Sequence, residues 1–422
     1  MRPGKIAAAV LGLAALTARA DDGRNGFDAA VDLAVLHADS PLPSWLNGGD
    51  GKLRFDQARD GLHFERAFLD YRGRVLDTLT ARATVNIQDG VSHIIDLTEA
   101  YLEWRPVPVT GWKIRTRAGA FYPRMSVENT AAGWSSPYML SSSAINTWIG
   151  EELRTIGVET RVSHDLPFLP PGNSIAIEGA VFFANDPTGA LLQGRGWAIH
   201  DRQTGIFSSI PLPPVSAIEP WDFQPPARDN VAPFREVDGH SGYYIGVEWQ
   251  LADFLRMKAM HYDNHANPVA QAGGQYAWQM WFDHVGVAAE LPGGVGLLGQ
   301  WLAGASRAGQ DFGPWRVYDA DFKAWFLLLT KSLDRHRVSL RFDRFDTTPN
   351  NDPDNYVNQD TGHAWAASYL YQWTRHLRVG AEYLAMRTRH CVATDCAWAL
   401  AGLPAVTREE SLQVQVRLQF GN

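Results

Sequence analysis

The sequence lacks the features that would place it in several common classes of protein. It contains no run of the roughly eighteen apolar residues that a membrane-spanning helix needs. Its two cysteines cannot supply a metal site made of four cysteines. Its 38 basic residues are outnumbered by 46 acidic ones, so we do not expect it to bind nucleic acid. No serine lies in a nucleophile-elbow motif, so a Ser-His pair for lipid hydrolysis has no local signature in the sequence.

The N-terminus indicates export. Arg2 and Lys5 precede the apolar run 6–16, and the small residues Ala18 and Ala20 follow it, as in a bacterial secretory signal cleaved after Ala20. We therefore expect residues 1–20 to be a signal peptide and 21–422 to form one domain. Removal of three cations would change the formal net charge from -8 to -11. The mature chain is then acidic.

The two cysteines fit an exported protein. Cys391 and Cys396 enclose only four residues, and in an oxidising compartment they can close a small disulfide loop. A metal site is the alternative, but His390 is the one further ligand nearby. We expect a disulfide and neither a metal nor a cofactor.

Alternation of apolar and polar residues predicts about sixteen β-strands. Several are longer than strands of soluble proteins and reach the roughly nine to eleven residues that cross a bilayer at a tilt. The predicted strands lie near 27–37, 61–74, 79–88, 94–105, 112–121, 153–163, 173–184, 241–250, 254–265, 276–290, 295–307, 318–331, 335–347, 362–373, 377–390 and 409–420.

The connections between these strands are of two kinds. Those after even-numbered strands are short, such as "LAD" at Leu251 and "PGG" at Pro292. Those after odd-numbered strands are mostly long, with 89–93 as a short exception; they are 38–60, 122–152, 185–240, 266–275, 308–317, 348–361 and 391–408. This asymmetry is typical of transmembrane barrels, which have short periplasmic turns and long external loops. The predicted fold is all-β: a transmembrane antiparallel up-and-down β-barrel of about sixteen strands in the bacterial outer membrane.

The two faces of the predicted strands agree with this fold. In 112–118, Trp112, Ile114 and Ala118 alternate with cations, and in 412–420 five apolar residues alternate with Gln413, Gln415, Arg417 and Gln419. A face so rich in charge cannot be a packed core, and a continuous apolar face cannot be left in water. We therefore expect lipid outside and water inside, with the last strand closing the barrel against the first.

At this point the sequence resembles the porin O/P (phosphate-selective porin) family of bacterial outer-membrane porins. The similar stretches are "FERAFLDYRGRVLDTLTARATVNIQDG", "LTEAYLEWRPVP…WKIRTRAGAFYPRMSVENTAAGWSSPY" and "DTGHAWAASYLYQWTRHLRVGAEYLAMRTRH". The resemblance implies a sixteen-stranded barrel, commonly a homotrimer, with the third external loop, here 122–152, folded inward as a constriction. Phosphate-selective members carry lysines on that loop, whereas 122–152 contains none.

The charges on the predicted wall bear on selectivity. By strand parity twelve cations, Lys323 among them, and nine carboxylates, Asp321 among them, face the lumen. Lys113, Arg115 and Arg117 form the densest row, just before the inward loop, where a charged ring sets selectivity. General solvation of the wall is the alternative. The candidate pore-lining residues are Lys113, Arg115, Arg117, Arg124, Arg82, Arg161, Arg337 and Arg341.

The sequence thus predicts a porin: a water-filled channel for passive diffusion of small hydrophilic solutes, with a mild preference for anions. Its partners would be outer-membrane lipid and small hydrophilic or anionic solutes. Two alternatives stay open, a barrel enzyme acting on lipid and a surface adhesin or structural barrel plugged by its loops. The long loop 185–240 is where a plug would be sought. His261, Asp263 and His265 could hold a metal, but a loop is the preferred interpretation.

Overall fold

We describe the protein from a computed structural model that covers residues 25–88, 92–166, 169, 171–213, 230–312, 315–350, 359–390, 399 and 402–421. The predicted signal peptide and the two cysteines, Cys391 and Cys396, lie outside the described residues, so the cleavage and the disulfide stay predictions.

Sixteen antiparallel strands form one closed barrel. Each strand pairs with its neighbours in chain order, as in an up-and-down barrel. The strands are β1 (Asn25–Asp39), β2 (Gly61–Leu76), β3 (Leu79–Ile87), β4 (Ile95–Trp104), β5 (Trp112–Phe121), β6 (Thr155–Asp165), β7 (Ser174–Phe183), β8 (Gly242–Leu251), β9 (Leu255–Asp263), β10 (Gln279–Leu291), β11 (Val295–Phe312), β12 (Trp315–Leu333), β13 (His336–Pro349), β14 (Asp360–Thr374), β15 (Leu377–Arg389) and β16 (Val406–Gly421).

The first and last strands close the barrel. Leu33 of β1 lies opposite Val416 of β16, and the pairing continues without a break from Asp28 to Asp39. Closure leaves no strand edge unpaired, which a membrane requires because lipid cannot hydrogen-bond the backbone. The predicted fold class is confirmed.

The outward faces of the strands are apolar and exposed. On β13, Val338 and Leu340 are 55% and 45% exposed, and on β16 Val414 is 45% exposed, while Arg341 and Gln415 on the same strands are buried in the lumen. A surface of this kind is stable in lipid and unstable in water. No helix among the described residues is long and apolar enough to cross a membrane.

In one strand, β12, the residues that face outward are not the ones that the sequence predicts. Leu327 and Leu329 of β12 are exposed, whereas Phe326 and Leu328 are buried. Odd-numbered residues of β12 therefore face outward, and the prediction that Lys323 and Asp321 line the lumen was wrong. The reason is that β12 is apolar on both faces, because its lumenal side packs against the inward loop.

The connections at one end of the barrel are tight. Between Leu291 and Val295 only Pro292, Gly293 and Gly294 make the turn, and both glycines have positive φ angles, 79° and 77°, which glycine adopts at little cost. At the other end, β11 and β12 continue to Phe312 and from Trp315. The predicted loop 308–317 is therefore mostly strand.

The connections at that other end carry the remaining regular structure. Helix α1 (Ala144–Glu152) lies in the third loop and helix α2 (Ala190–Gly194) in the fourth. Single 3-10 turns occur at Trp45–Asn47, Gln57–Arg59 and Ala132–Trp134, and two-residue strand pairs at Ile210–Pro211 with Asn230–Val231 and at Gln271–Ala272 with Gln275–Tyr276.

Candidate functional site

The third loop lies inside the barrel and is fixed there by a buried carboxylate. Glu128 accepts hydrogen bonds from the backbone N–H of Ser143 at 2.9 Å and the amide of Asn146 at 2.8 Å, both at the start of α1. It also pairs with Arg341 of β13 at 2.7 Å. The three contacts join two parts of the loop to the wall, so the loop is held across the lumen.

Apolar packing supports the same position. Every residue of α1 is buried. The Trp148 ring lies 5.5 Å from Phe282 of β10 and 5.9 Å from Phe322 of β12. It is also 6.2 Å from Trp197 of the fourth loop. Burial of large aromatic side chains is a substantial favourable term, so α1 is packed as firmly as a protein core.

Two further external loops interlock with the third. Arg195 of the fourth loop pairs with Glu151 of α1 at 2.6 Å, and both side chains are fully buried. Arg54 of the first loop pairs with Asp201 of the fourth at 2.6 Å, and Lys52 pairs with Asp360 of β14 at 3.1 Å. The first, third and fourth loops are thus joined to one another and to the inner side of the wall; we call them the loop plug (40–60, 122–154 and 184–213).

The central ion pair of the loop plug stays charged over a wide pH range. Burial would raise the pKa of the Glu151 carboxyl, but Arg195 and His200 outweigh burial and hold that pKa well below its usual range. A lowered carboxyl pKa contributes stability above the unfolded value of 4.5 and loses it only as the pH falls through the folded value. The pair therefore persists in mildly acidic solution.

A water-accessible cavity of about 460 Å³ lies below the third loop, toward the short turns. We call it the basic vestibule. Its lining contains seven cations but only two carboxylates, Glu99 and Glu248. The cations are Arg82, Arg115, Arg117, Arg124, Arg161, Arg256 and Lys258.

The carboxylates that neutralise these cations lie mainly behind the lining. Glu159 pairs with Arg117 at 2.7 Å and with Arg124 at 3.0 Å, and its side chain is only 1% exposed. Glu178 pairs with Arg161 at 3.0 Å and is 5% exposed. Arg124 and Arg161 reach the water of the cavity, with side chains 24% and 18% exposed, whereas Arg117, Glu159 and Glu178 are buried. The cavity surface is therefore more positive than the total charge of the region.

The least neutralised cations are on β5 and β9. Arg115 is 37% exposed on its side chain and lies 3.7 Å from Glu103, its one carboxylate contact among the described residues. Arg256 has no ion pair in the part of the chain that the structure describes, and its Nε lacks a hydrogen-bond partner there. These two side chains contribute most of the free positive charge.

The predicted pore-lining residues divide into two groups. Arg82, Arg115, Arg117, Arg124 and Arg161 line the basic vestibule. The other three lie elsewhere. Lys113 pairs with Asp165 at 2.8 Å near the short turns, Arg337 covers the Tyr138 ring at 5.0 Å, and Arg341 is fully buried between Glu128 and Asp343.

A second cavity of about 460 Å³ lies on the other side of Ala131, which borders both. Its lining includes Arg378 and Arg417 from the last two strands and Phe68 from β2. The third loop thus divides the lumen below it into two openings.

Among the described residues, His261, Asp263 and His265 do not form a group close enough to share a metal ion. His261 pairs with Asp283 at 2.8 Å on the outside of the barrel, and Asp263 accepts a hydrogen bond from the backbone of His265. Among the described residues, the group close enough to share an ion is instead Asp186, Glu236 and Asp238. These carboxylates accept backbone hydrogen bonds from Val237, Gly239 and Asn267, which accounts for their proximity.

Comparison with known proteins shows which solved structures share this fold. No family model matches this chain, and no curated protein does. Solved structures of outer-membrane proteins do match. The Salmonella typhi OmpF complex with daunomycin matches at a TM-score of 0.51 and 10% identity, over 94% of this chain and 98% of that one.

Two other structures match equally well. The outer membrane channel DcaP of Acinetobacter baumannii has a TM-score of 0.50 at 11% identity, covering 94% of this chain and 96% of its own. OmpT of Vibrio cholerae has a TM-score of 0.50 at 11% identity, covering 94% and 97%. At such identities the likeness is one of fold. A closed barrel with an apolar outer surface belongs in the bacterial outer membrane, and this chain is an outer-membrane barrel.

Proposed function

We propose that this barrel is a porin-type channel through which small hydrophilic solutes diffuse, with a mild preference for anions. The observation that carries the proposal is the lining of the basic vestibule, where seven cations meet two carboxylates. Fixed positive charge in a narrow aqueous passage raises the local concentration of anions without a tight binding site. The resemblance to the porin O/P family and a trimeric assembly are parts of the same proposal.

A planar-bilayer measurement tests the proposal. In a salt gradient we expect steady conductance and a zero-current potential of the sign that a preference for anions produces. Replacement of Arg115 and Arg256 together by Glu should move that potential toward cations, more strongly at low salt because screening is then weaker. Both side chains are partly exposed in the cavity, so the protein should still fold.

The matched control replaces Arg235, on an external loop, and Arg408, on the outer face of β16, by Glu. This double variant changes the same charge and should leave the zero-current potential nearly unchanged. A wild-type channel that prefers cations, or an equal shift in both double variants, would refute the assigned selectivity.

A second candidate function follows from the loop plug. The buried ion pairs Arg195–Glu151 and Arg54–Asp201 join three external loops, and such an arrangement is also what a plugged surface or structural barrel would have. Absence of steady conductance in the wild type would favour this candidate. No observation on the described residues favours the other alternative, a barrel enzyme acting on lipid.

A further inference from the structure

The outside of the barrel carries an arginine-rich row that the channel does not use. In the register of the sheet, Arg344 of β13 lies opposite His363 of β14, His363 opposite Arg387 of β15, and Arg387 opposite Arg408 of β16. Arg389 lies two residues beyond Arg387 on the same face. We call this set the outer basic row.

The outer basic row faces away from the lumen. Val338 and Leu340 on β13 are exposed, as are Trp365 on β14, Tyr383 on β15 and Leu412 on β16. Side chains alternate along a strand, so Arg344, His363, Arg387 and Arg408 lie on the same outward faces. Arg344, Arg387, Arg389 and Arg408 are exposed, and His363 is half-buried.

The position of the row corresponds to the outer edge of the lipid belt. Phe342, Trp365 and Ala385 form the adjacent outward row on the side of the short turns, and the Phe342 and Trp365 rings pack 4.7 Å apart. Tryptophan and tyrosine are common at the boundary between hydrocarbon and headgroups. The arginines lie one step beyond this boundary, on the side of the long loops, at headgroup level.

Among the described residues these arginines have no anionic partner, since Glu410, the next outward residue of β16 after Arg408, accepts a hydrogen bond from Tyr383 at 2.6 Å. On other strands of the outer face, His261 pairs with Asp283 at 2.8 Å and Arg307 with Asp319 at 3.2 Å. In the part of the chain that the structure describes, Arg344, Arg387, Arg389 and Arg408 form no ion pair. Like charges on neighbouring strands repel, so an external anion between them would be stabilising.

A cleft lies within the row. It has a volume of about 270 Å³, and its lining includes Arg344, His363, Arg387 and Arg389. Neighbouring strands are about 4.8 Å apart, so the row from β13 to β16 spans about 14 Å, more than one phosphate group. Guanidinium groups bind phosphate through paired hydrogen bonds.

We propose that the outer basic row binds the phosphate groups of a phosphorylated glycolipid in the outer leaflet. The lipid's acyl chains would lie on the apolar faces of β13 to β16, and its phosphates would lie among Arg344, Arg387 and Arg408. Since the row faces away from the lumen, the site is independent of conduction.

The test measures retention of lipid by the folded protein in detergent. The probes are lipid A carrying two phosphates and the same lipid after enzymatic removal of the phosphates. We expect the phosphorylated form to bind, and the double variant Arg344→Gln with Arg387→Gln to bind it at least about tenfold more weakly, since two charge-assisted contacts are lost. The control, Arg74→Gln with Arg335→Gln, removes two exposed arginines at the opposite end of the barrel and should bind as the wild type does.

Three results would overturn the proposal. Equal retention of the dephosphorylated lipid would exclude phosphate as the recognised group. Displacement of the lipid by inorganic phosphate at similar concentrations would make the row a site for free anions. Equal losses in the two double variants would show only general attraction to cations. Heat-modifiable migration on gels verifies that every variant is folded, so a loss of binding is not a loss of structure.

Discussion

At the scale of single residues, the lumen depends on charges that are buried but paired. Arg341 shows the pattern: its guanidinium contacts Glu128 and Asp343, each at 2.7 Å, and the carbonyl oxygen of Ser141 at 2.8 Å. Removal of one partner from a buried pair leaves an uncompensated charge, which costs about 3–5 kcal/mol. Arg341 is therefore a residue that positions the third loop.

The corresponding prediction concerns Arg341→Gln. This change leaves Glu128 without its cation and should release the loop 122–152 from the wall, while the barrel itself still forms. Limited proteolysis of the folded protein should then cut within this loop at a much higher rate than in the wild type. Arg344→Gln is the control, because Arg344 lies on the same strand but faces away from the lumen and the loop. Equal protease resistance of wild type and Arg341→Gln would show that this contact does not hold the loop.

At the scale of elements, strand β16 carries the closure of the barrel. Val416 faces lipid opposite Leu33 and Val379, whereas Gln415 faces the lumen and donates a hydrogen bond to Glu65 at 2.6 Å. Adjacent residues of one strand thus meet opposite environments.

Arginine substitutions at these two positions should therefore differ. Val416→Arg places a charge within the apolar belt at a cost of about 2–4 kcal/mol, and should reduce the folded, heat-modifiable fraction in outer membranes. Gln415→Arg places the same charge beside the Glu65 carboxylate and should be mild. If both variants lose folded protein to the same extent, the assignment of the two faces is wrong.

The strands could be predicted from sequence because lipid and water impose a local pattern on each. All sixteen strands were located, and the facing failed at Lys323 on β12, where Phe326 and Leu328 pack against the third loop and the alternation is lost. The loop plug could not be predicted in the same way. Lys52 and Asp360 are 308 residues apart, and no local pattern indicates that they pair. Strand parity predicts correctly that Arg256 faces the lumen, but no local pattern indicates that it has no ion pair among the described residues.

At the scale of the whole molecule, the two ends of the barrel are unlike. One end has turns such as Pro292 to Gly294, and the other carries the loop plug. In outer-membrane barrels the long loops face the outside of the cell.

Epitope insertion tests this orientation. A tag after Asn350, at the end of β13, should be labelled by antibody on intact cells, and a tag after Gly293 should be labelled only after the outer membrane is opened. If a folded protein shows the reverse labelling pattern, the barrel has the opposite orientation in the membrane.

The paired construction of the basic vestibule has a consequence for how its selectivity can change over evolution. Arg161 lies between Glu178 at 3.0 Å and Glu248 at 2.7 Å. A neutral residue at this position would not merely subtract one positive charge; it would also uncover two carboxylates that Arg161 now neutralises, with Lys258 left to balance Glu248. A single substitution at position 161 should therefore weaken the local attraction for anions, while the six other cations of the lining keep the vestibule basic.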